Sequence, residues 1–313
     1  MHLLFQTKVK YIAFIHFFKG IKEESIPFMK QIFQYGSWLV EYTPEDGARL
    51  NRLCFDGYDL LTTEPKSFRP PSTDYGEYEN RPVYGYDDCF PSVEPCIFPG
   101  TDLRIPDHGE LCWLSWEASR TTTNLIFTVK SKILPVQFSR KMLFSNTSIN
   151  WMFEVLNESD RILHFQHVIH PLIPLNEVVD FNLPPFQSIY NETTQQMMDL
   201  KDPKAVKDFL LKMPVGTTNM LFLQRVQTGK MSMRFRNGIR LEMIFPVESF
   251  LTIGIWWNNS AYPDEKGCRR NECAFEPIPG LTSVLTQAYQ EKYSLSVDPK
   301  NKCSWQIQWN IYQ

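Results

Sequence analysis

The feature that most constrains this chain is a hydrophobic period of two. From Cys303 to Ile311 apolar and polar residues alternate, so Trp305, Ile307, Trp309 and Ile311 fall on one face of an extended strand. Ile149–Leu156, Ile162–His170 and Leu251–Trp257 show the same alternation. Met231–Phe235 and Ile239–Phe245 flank Asn237-Gly238, a turn pair that tolerates positive φ and closes a hairpin. Strands this frequent, separated by proline-rich loops, predict an all-β chain: a large antiparallel β-sandwich with few short helices.

The best helical segment is Asp202–Met213. Asp202 stands at the N-cap, Pro203 in the first turn, and Val206, Phe209, Leu210 and Met213 share one side. Thr63–Tyr84 is rich in Pro, Tyr, Asp and Glu without periodicity and reads as a long surface loop. At 313 residues the chain could hold two domains, but sandwiches of this length fold as one unit. No composition break demands a second domain. Residues 1–28 read as an N-terminal extension and 29–313 as a single β-sandwich domain. The apolar run Tyr11–Phe18 is too short to span a bilayer and lacks a small-x-small cleavage site, which predicts a cytoplasmic protein without membrane association.

A net charge of −3 with no basic block argues against nucleic acid as a partner, because phosphate neutralisation dominates such binding. The seven cysteines form no CxxC pair and no zinc-finger spacing, so no metal site is expected. Cys268 and Cys273 could close a small loop, although free thiols are the simpler reading.

Several segments could carry chemistry. Ile162–His170 holds three of the six histidines, and alternation puts His164, Gln166 and His170 on one face. That face is too polar for a dry core and suits a cleft wall. Pro171 ends the strand and places His170 at a rim. For a single histidine the plain alternative is a buried, hydrogen-bonded side chain. Glu272, Ala274 and Glu276 share a face of another strand, which Pro277 and Pro279-Gly280 end. A carboxylate partly desolvated there would have a raised pKa, as a general base requires; the alternative is a salt-bridged glutamate. Trp256, Trp257, Asn258, Asn259 and Tyr262 combine aromatic faces with amides, which suits a sugar, although one of the two tryptophans belongs in the core.

Four segments occur in order: Gly85-Tyr86-Asp87-Asp88-Cys89-Phe90-Pro91, Pro106-Asp107-His108-Gly109-Glu110-Leu111-Cys112-Trp113, His170-Pro171, and Phe275-Glu276-Pro277-Ile278-Pro279-Gly280. Together they resemble the aldose 1-epimerase (galactose mutarotase)-like superfamily, from about Gly47 to the C-terminus. The resemblance implies the supersandwich of that family, with a sugar groove across one sheet. It implies interconversion of the α and β anomers of a free sugar without a cofactor. By motif, His170 would be the general acid, Glu276 the general base, and His108 a sugar contact, with Asp87 a further contact by analogy.

The family's asparagine–arginine pair maps either to Asn51-Arg52 or to Asn80-Arg81, and Arg81 is taken as the candidate sugar-binding residue. Trp257 and Asn258 complete the expected substrate contacts. The family's late aspartate has no secure counterpart; Asp264 is the nearest guess. The alternatives are a non-catalytic sugar-binding protein of the same fold and a hexose-6-phosphate mutarotase, for which Arg234, Arg236 and Arg240 would have to reach the groove. The oligomeric state, monomer or dimer, is left open.

Overall fold

The structure, a computed structural model, describes residues 29–65, 78, 81–263 and 269–313. The expectations for residues 1–28, for Asn80, Asp264 and Cys268, and for most of the Thr63–Tyr84 loop lie outside them.

The described residues form three large antiparallel sheets. One runs in the order Gln31–Tyr35, Trp38–Thr43, Arg49–Phe55, Tyr86–Cys89 and Val168–Pro171, with Tyr58–Asp59 paired on its third strand. An eight-stranded sheet begins with Val178–Asn182, Lys230–Phe235, Arg240–Ile244 and Lys302–Tyr312. It continues through Ser148–Asn157, Val136–Phe144, Asn124–Lys130 and Glu117–Arg120. The third runs Ile173–Pro174, Asn271–Ile278, Thr252–Asn259, Thr217–Gln224, Ser188–Asn191 and Gln196–Met197.

The architecture is a β-sandwich, and aromatic contacts show which faces meet. Tyr86 of the first sheet packs on Trp151 of the eight-stranded sheet, with ring centroids 4.8 Å apart, and Phe275 of the third sheet lies 5.4 Å from Phe181 of the eight-stranded sheet. The eight-stranded sheet thus covers both of the others. Its strands alternate in burial, and Trp305, Ile307, Trp309 and Ile311 all point into the core. Its other face meets solvent, as period-two patterning requires.

Near the site the burial pattern changes. Tyr86–Cys89 and Val168–Pro171 are buried at every position, as is Asn271–Ile278 from Glu272 onward. A strand buried on both faces has something covering its outer face as well. Here that cover is the cavity wall and its loops, and Asp87, His170, Glu272 and Glu276 share the outward positions with Cys89, Val168, Ala274 and Ile278.

The Asn237-Gly238 hairpin forms, with Gly238 at φ 95°. The helix spans Pro203–Leu211, and the Asp202 carboxylate accepts from the Ala205 N–H at 2.8 Å. Two expectations are corrected. Ile162–His170 is not one strand: Leu163–Phe165 pairs with Leu295–Val297, Val168–Pro171 pairs with Tyr86–Cys89, and the chain breaks between them. At the break the Gln166 amide donates to the Pro279 and Thr282 carbonyls, so Gln166 is a buried strut and no cleft residue. The second correction concerns Pro277, which does not end its strand. Pairing runs on to Ile278, and proline is tolerated because Ile173–Pro174 borders this strand only at Cys273 and Glu272. Among the described residues no helix is long and apolar enough to cross a membrane.

Candidate functional site

The chain passes from the last strand of the first sheet, Val168–Pro171, almost directly into the first strand of the third, Ile173–Pro174. At that seam His170 from one sheet meets Glu276 from the other, with Nε2 3.7 Å from Oε1. Both line a cavity of about 440 Å³.

His170 is held from behind. Asp87 is its cross-strand partner, and Oδ1 of Asp87 lies 2.9 Å from Nδ1 of the ring. The Tyr78 hydroxyl lies 3.0 Å from both Nδ1 and Asp87 Oδ2. Arg81 donates to Asp87 Oδ2 at 3.2 Å and to Asp46 Oδ1 at 2.6 Å, and Arg49 donates to Asp46 Oδ2 at 2.7 Å. Burial pushes the Asp87 carboxyl up, but the hydrogen bond and charge of His170, then Arg81 and Arg49, hold it well below the usual carboxylate range. Burial likewise pushes the His170 ring down. The hydrogen bond and charge of Asp87, joined by Glu276 and Glu272, outweigh burial and leave its pKa raised.

His108 reaches the cavity on a loop that docks through its backbone. His108 N–H donates to the Val93 carbonyl at 2.6 Å and Glu110 N–H to the Phe90 carbonyl at 2.9 Å. Gly109 lies so close to this segment that a Cβ would stand 1.9 Å from the Phe90 carbonyl oxygen, so no other residue fits. His108 itself has φ 58°, its ring stacks on Tyr78 at 3.7 Å between centroids, and its Nδ1 lies 2.8 Å from Asp107. Glu110 is buried below the loop and takes up the Ser131 hydroxyl and the Lys132 N–H.

Room for Glu276 comes from Gly254, its cross-strand neighbour. A Cβ there would stand 3.2 Å from Glu276 Oε2. Burial raises the Glu276 pKa against the opposing charges of His170 and His108. The arrangement therefore offers a cation-leaning imidazole and a carboxylate with enhanced proton affinity, side by side on one wall.

Further carboxylates line the cavity. Burial and the nearby Glu94 push Glu192 up to about 7 despite a hydrogen bond from Ser283. Glu272 is tied to Arg270 Nε at 2.7 Å and receives the Trp256 indole N–H at 3.3 Å.

The structure brings His108, His170 and Glu276 to one cavity and places the other expected residues differently. Asp87 and Arg81 sit behind His170 and are nearly inaccessible, at 2% and 3% exposure, so they orient the ring where substrate contact was expected. Asn51 is buried against Thr43 and Tyr84, and Arg52 pairs with Asp59 on the outside, so of the two candidate arginines Arg81 is the one near the site. Trp257 packs in the core, 5.5 Å from Phe181, and Asn258 braces the following turn through the Tyr262 backbone. Trp256, on the opposite face of that strand, lines the cavity instead. His164 stacks edge-on against Tyr289, away from it.

Tyr78, Asp46, Arg49, Glu94 and Glu192 were not singled out from sequence. Tyr78 lies 92 residues from His170 and Asp46 lies 35 from Arg81, so no local pattern links them. A tyrosine within a long polar loop was the one available signal.

No protein-family model matches the chain, and no curated protein does. Solved structures do. The Slr1438 protein of Synechocystis superposes with a TM-score of 0.68 at 13% identity, covering 90% of this chain and 95% of its own. A galactose mutarotase related enzyme from Lactobacillus acidophilus gives 0.64 at 15% identity, over 91% and 98%. A galactose mutarotase-like protein from Lactobacillus casei gives 0.63 at 14%, over 91% and 100%. At such identities the likeness concerns architecture, and the architecture of this chain is the galactose mutarotase-like β-sandwich.

Proposed function

We propose that this protein is a cofactor-independent aldose 1-epimerase acting on an unphosphorylated sugar, with His170 as general acid and Glu276 as general base. The observation that carries the reading is the 3.7 Å approach of His170 Nε2 to Glu276 Oε1 on a cavity wall, with the far nitrogen of the ring fixed by a carboxylate. Glu276 takes the proton of the anomeric hydroxyl while His170 protonates the ring oxygen, so the C1–O5 bond breaks and an aldehyde forms. Rotation about C1–C2 presents the other carbonyl face. On closure O5 returns its proton to His170 and the new anomeric oxygen takes one from Glu276, which restores both groups.

The cavity volume suits a monosaccharide. Trp256 offers an apolar face for ring C–H groups, and His108 offers a ring nitrogen for hydroxyls. Among the described lining residues Glu94, Asp107, Glu192, Glu272 and Glu276 face a single guanidinium, Arg270, itself paired with Glu272. Such a wall repels a phosphate. Arg234, Arg236 and Arg240 lie on a hairpin of the eight-stranded sheet and are not among those lining residues.

Proton NMR of anomer exchange, with galactose, glucose and their 6-phosphates, tests the reading. Enzyme-dependent exchange of a free sugar supports it. Exchange of the 6-phosphates alone contradicts the substrate class. Saturable sugar binding without exchange would make the protein a binding module.

A further inference from the structure

Beside the cavity residues His108 and His170 lies Cys89, a thiol that the epimerase reading does not use. A ligand-capable atom on each of Cys89, His108 and His170 lies within 4.8 Å of the others. These residues come from the strand Tyr86–Cys89, the His108 loop and the strand Val168–Pro171, so no sequence spacing reports them. Cys89 has no disulfide partner and is 1% exposed. It shares a strand face with Asp87, two residues away, because alternate positions point the same way.

Carboxylates flank both histidines of the cluster. Nδ1 of His170 is engaged by Asp87 at 2.9 Å and Nδ1 of His108 by Asp107 at 2.8 Å. A carboxylate on one nitrogen fixes the tautomer and leaves Nε2 with its lone pair for coordination, an outer-shell pattern typical of metal-ligating histidines. Glu276 Oε1, 3.7 Å from His170 Nε2, is within reach as a fourth ligand.

We propose that Cys89, His108, His170 and Glu276 form a binding site for a borderline-soft divalent cation of the zinc class, and that its occupancy shuts the active site. One thiolate, two imidazoles and one carboxylate make a donor set that zinc prefers, whereas magnesium and calcium prefer oxygen. Tetrahedral zinc sets neighbouring donors about 3.3–3.6 Å apart, so closing the cluster needs side-chain movements of about 1 Å. On binding, the Cys89 S–H proton and the Nε2 proton of a charged His170 ring pass to solvent as the bonds to the metal form, which makes affinity rise with pH. Asp107 and Glu276 add negative charge that favours a dication, while Arg49 and Arg81 are already matched by Asp46 and Asp87. With Nε2 of His170 on the metal, that nitrogen carries no proton for a sugar ring oxygen.

Binding does not depend on the acid–base assignment, which enters only through the loss of activity. The test titrates the reduced full-length chain with Co2+, whose thiolate complexes give a near-ultraviolet charge-transfer band, and then displaces it with Zn2+. The expected result is a band saturating at about one equivalent and lost in Cys89→Ala. Asp107→Asn should weaken binding about 10–100-fold, the usual effect of removing an outer-shell partner. His108→Asn, a residue suited to the positive φ at this position, should weaken it further. Variants are compared at matched melting behaviour, so that misfolding is not read as lost affinity. No cobalt binding, a thiolate band that survives Cys89→Ala, or an affinity unchanged in His108→Asn would overturn the proposal. Binding without inhibition of anomer exchange would overturn the claim that occupancy shuts the active site and count against His170 as the acid, while leaving the cation site itself in place.

Discussion

Asp87 stands directly opposite His170 in the antiparallel ladder, and its Oδ1 lies 2.9 Å from Nδ1 of that ring. Each partner moves the other: the carboxyl is held low and the imidazole is raised. A raised histidine pKa stabilises the fold fully below its unfolded value of 6.5, and the contribution fades as pH rises through the folded value. Asp87→Asn should lower the His170 midpoint, read by NMR titration of the ring, and shift the acid-dependent limb of the activity profile to lower pH. It should also cost about 3–5 kcal/mol, because Arg49 and Arg81 lose a buried counter-charge. An unmoved midpoint would mean that Asp87 does not control the ring.

Gly254 tests the space around the proposed base. A Cβ there would stand 2.8 Å from Ile278 Cδ1, 3.0 Å from Met220 Cε and 3.2 Å from Glu276 Oε2. Gly254→Ala should cost about 1–3 kcal/mol by overpacking and reduce kcat by displacing the carboxylate. A stability loss with unchanged kcat would show that the aliphatic neighbours absorb the methyl group and Glu276 stays in place.

The two adjacent tryptophans should separate cleanly. Trp257→Ala removes a core side chain packed on Phe181 and should cost about 3–5 kcal/mol in denaturant unfolding. Trp256→Ala removes a cavity wall and should raise KM for the sugar with a smaller effect on melting. Reversed outcomes would contradict the assignment of faces.

Glu192 gives stability a second pH dependence. Its pKa rises from 4.5 to about 7 in the fold, so the folded state binds this proton more tightly than the unfolded chain does. The sign is opposite to that of Asp87: stability falls as pH climbs between those two values. Glu192→Gln should therefore raise the melting temperature more at about pH 8 than at about pH 5. Equal gains at both would indicate that the carboxyl titrates normally.

The elements legible in the sequence were those written in neighbouring residues. The alternation at Trp305, Ile307, Trp309 and Ile311, the Asn237-Gly238 turn and the Asp202 cap depend on chemistry within a few positions. Glu272 and Glu276 were assigned one face by the same rule, and both line the cavity. What stayed hidden depends on contacts across the fold. The break at Gln166 is stabilised by carbonyls 113 and 116 residues away. Whether Trp256 or Trp257 faces the cavity turns on which side of the strand the eight-stranded sheet covers, and alternation fixes only that the two differ. The role of Asp87 needed its cross-strand register with His170, because an aspartate beside a sugar and one behind a histidine look the same in sequence.

The central claim is that His170 and Glu276 move protons at an anomeric centre. The most direct measurement is the NMR exchange rate between sugar anomers with wild-type protein and with Glu276→Gln, at matched fold and saturating sugar. The expected result is enzyme-dependent exchange that falls by about 10²–10⁴-fold in the variant, whose melting temperature is unchanged or higher because a buried carboxylate has been neutralised. Exchange at the wild-type rate in folded Glu276→Gln would contradict the claim.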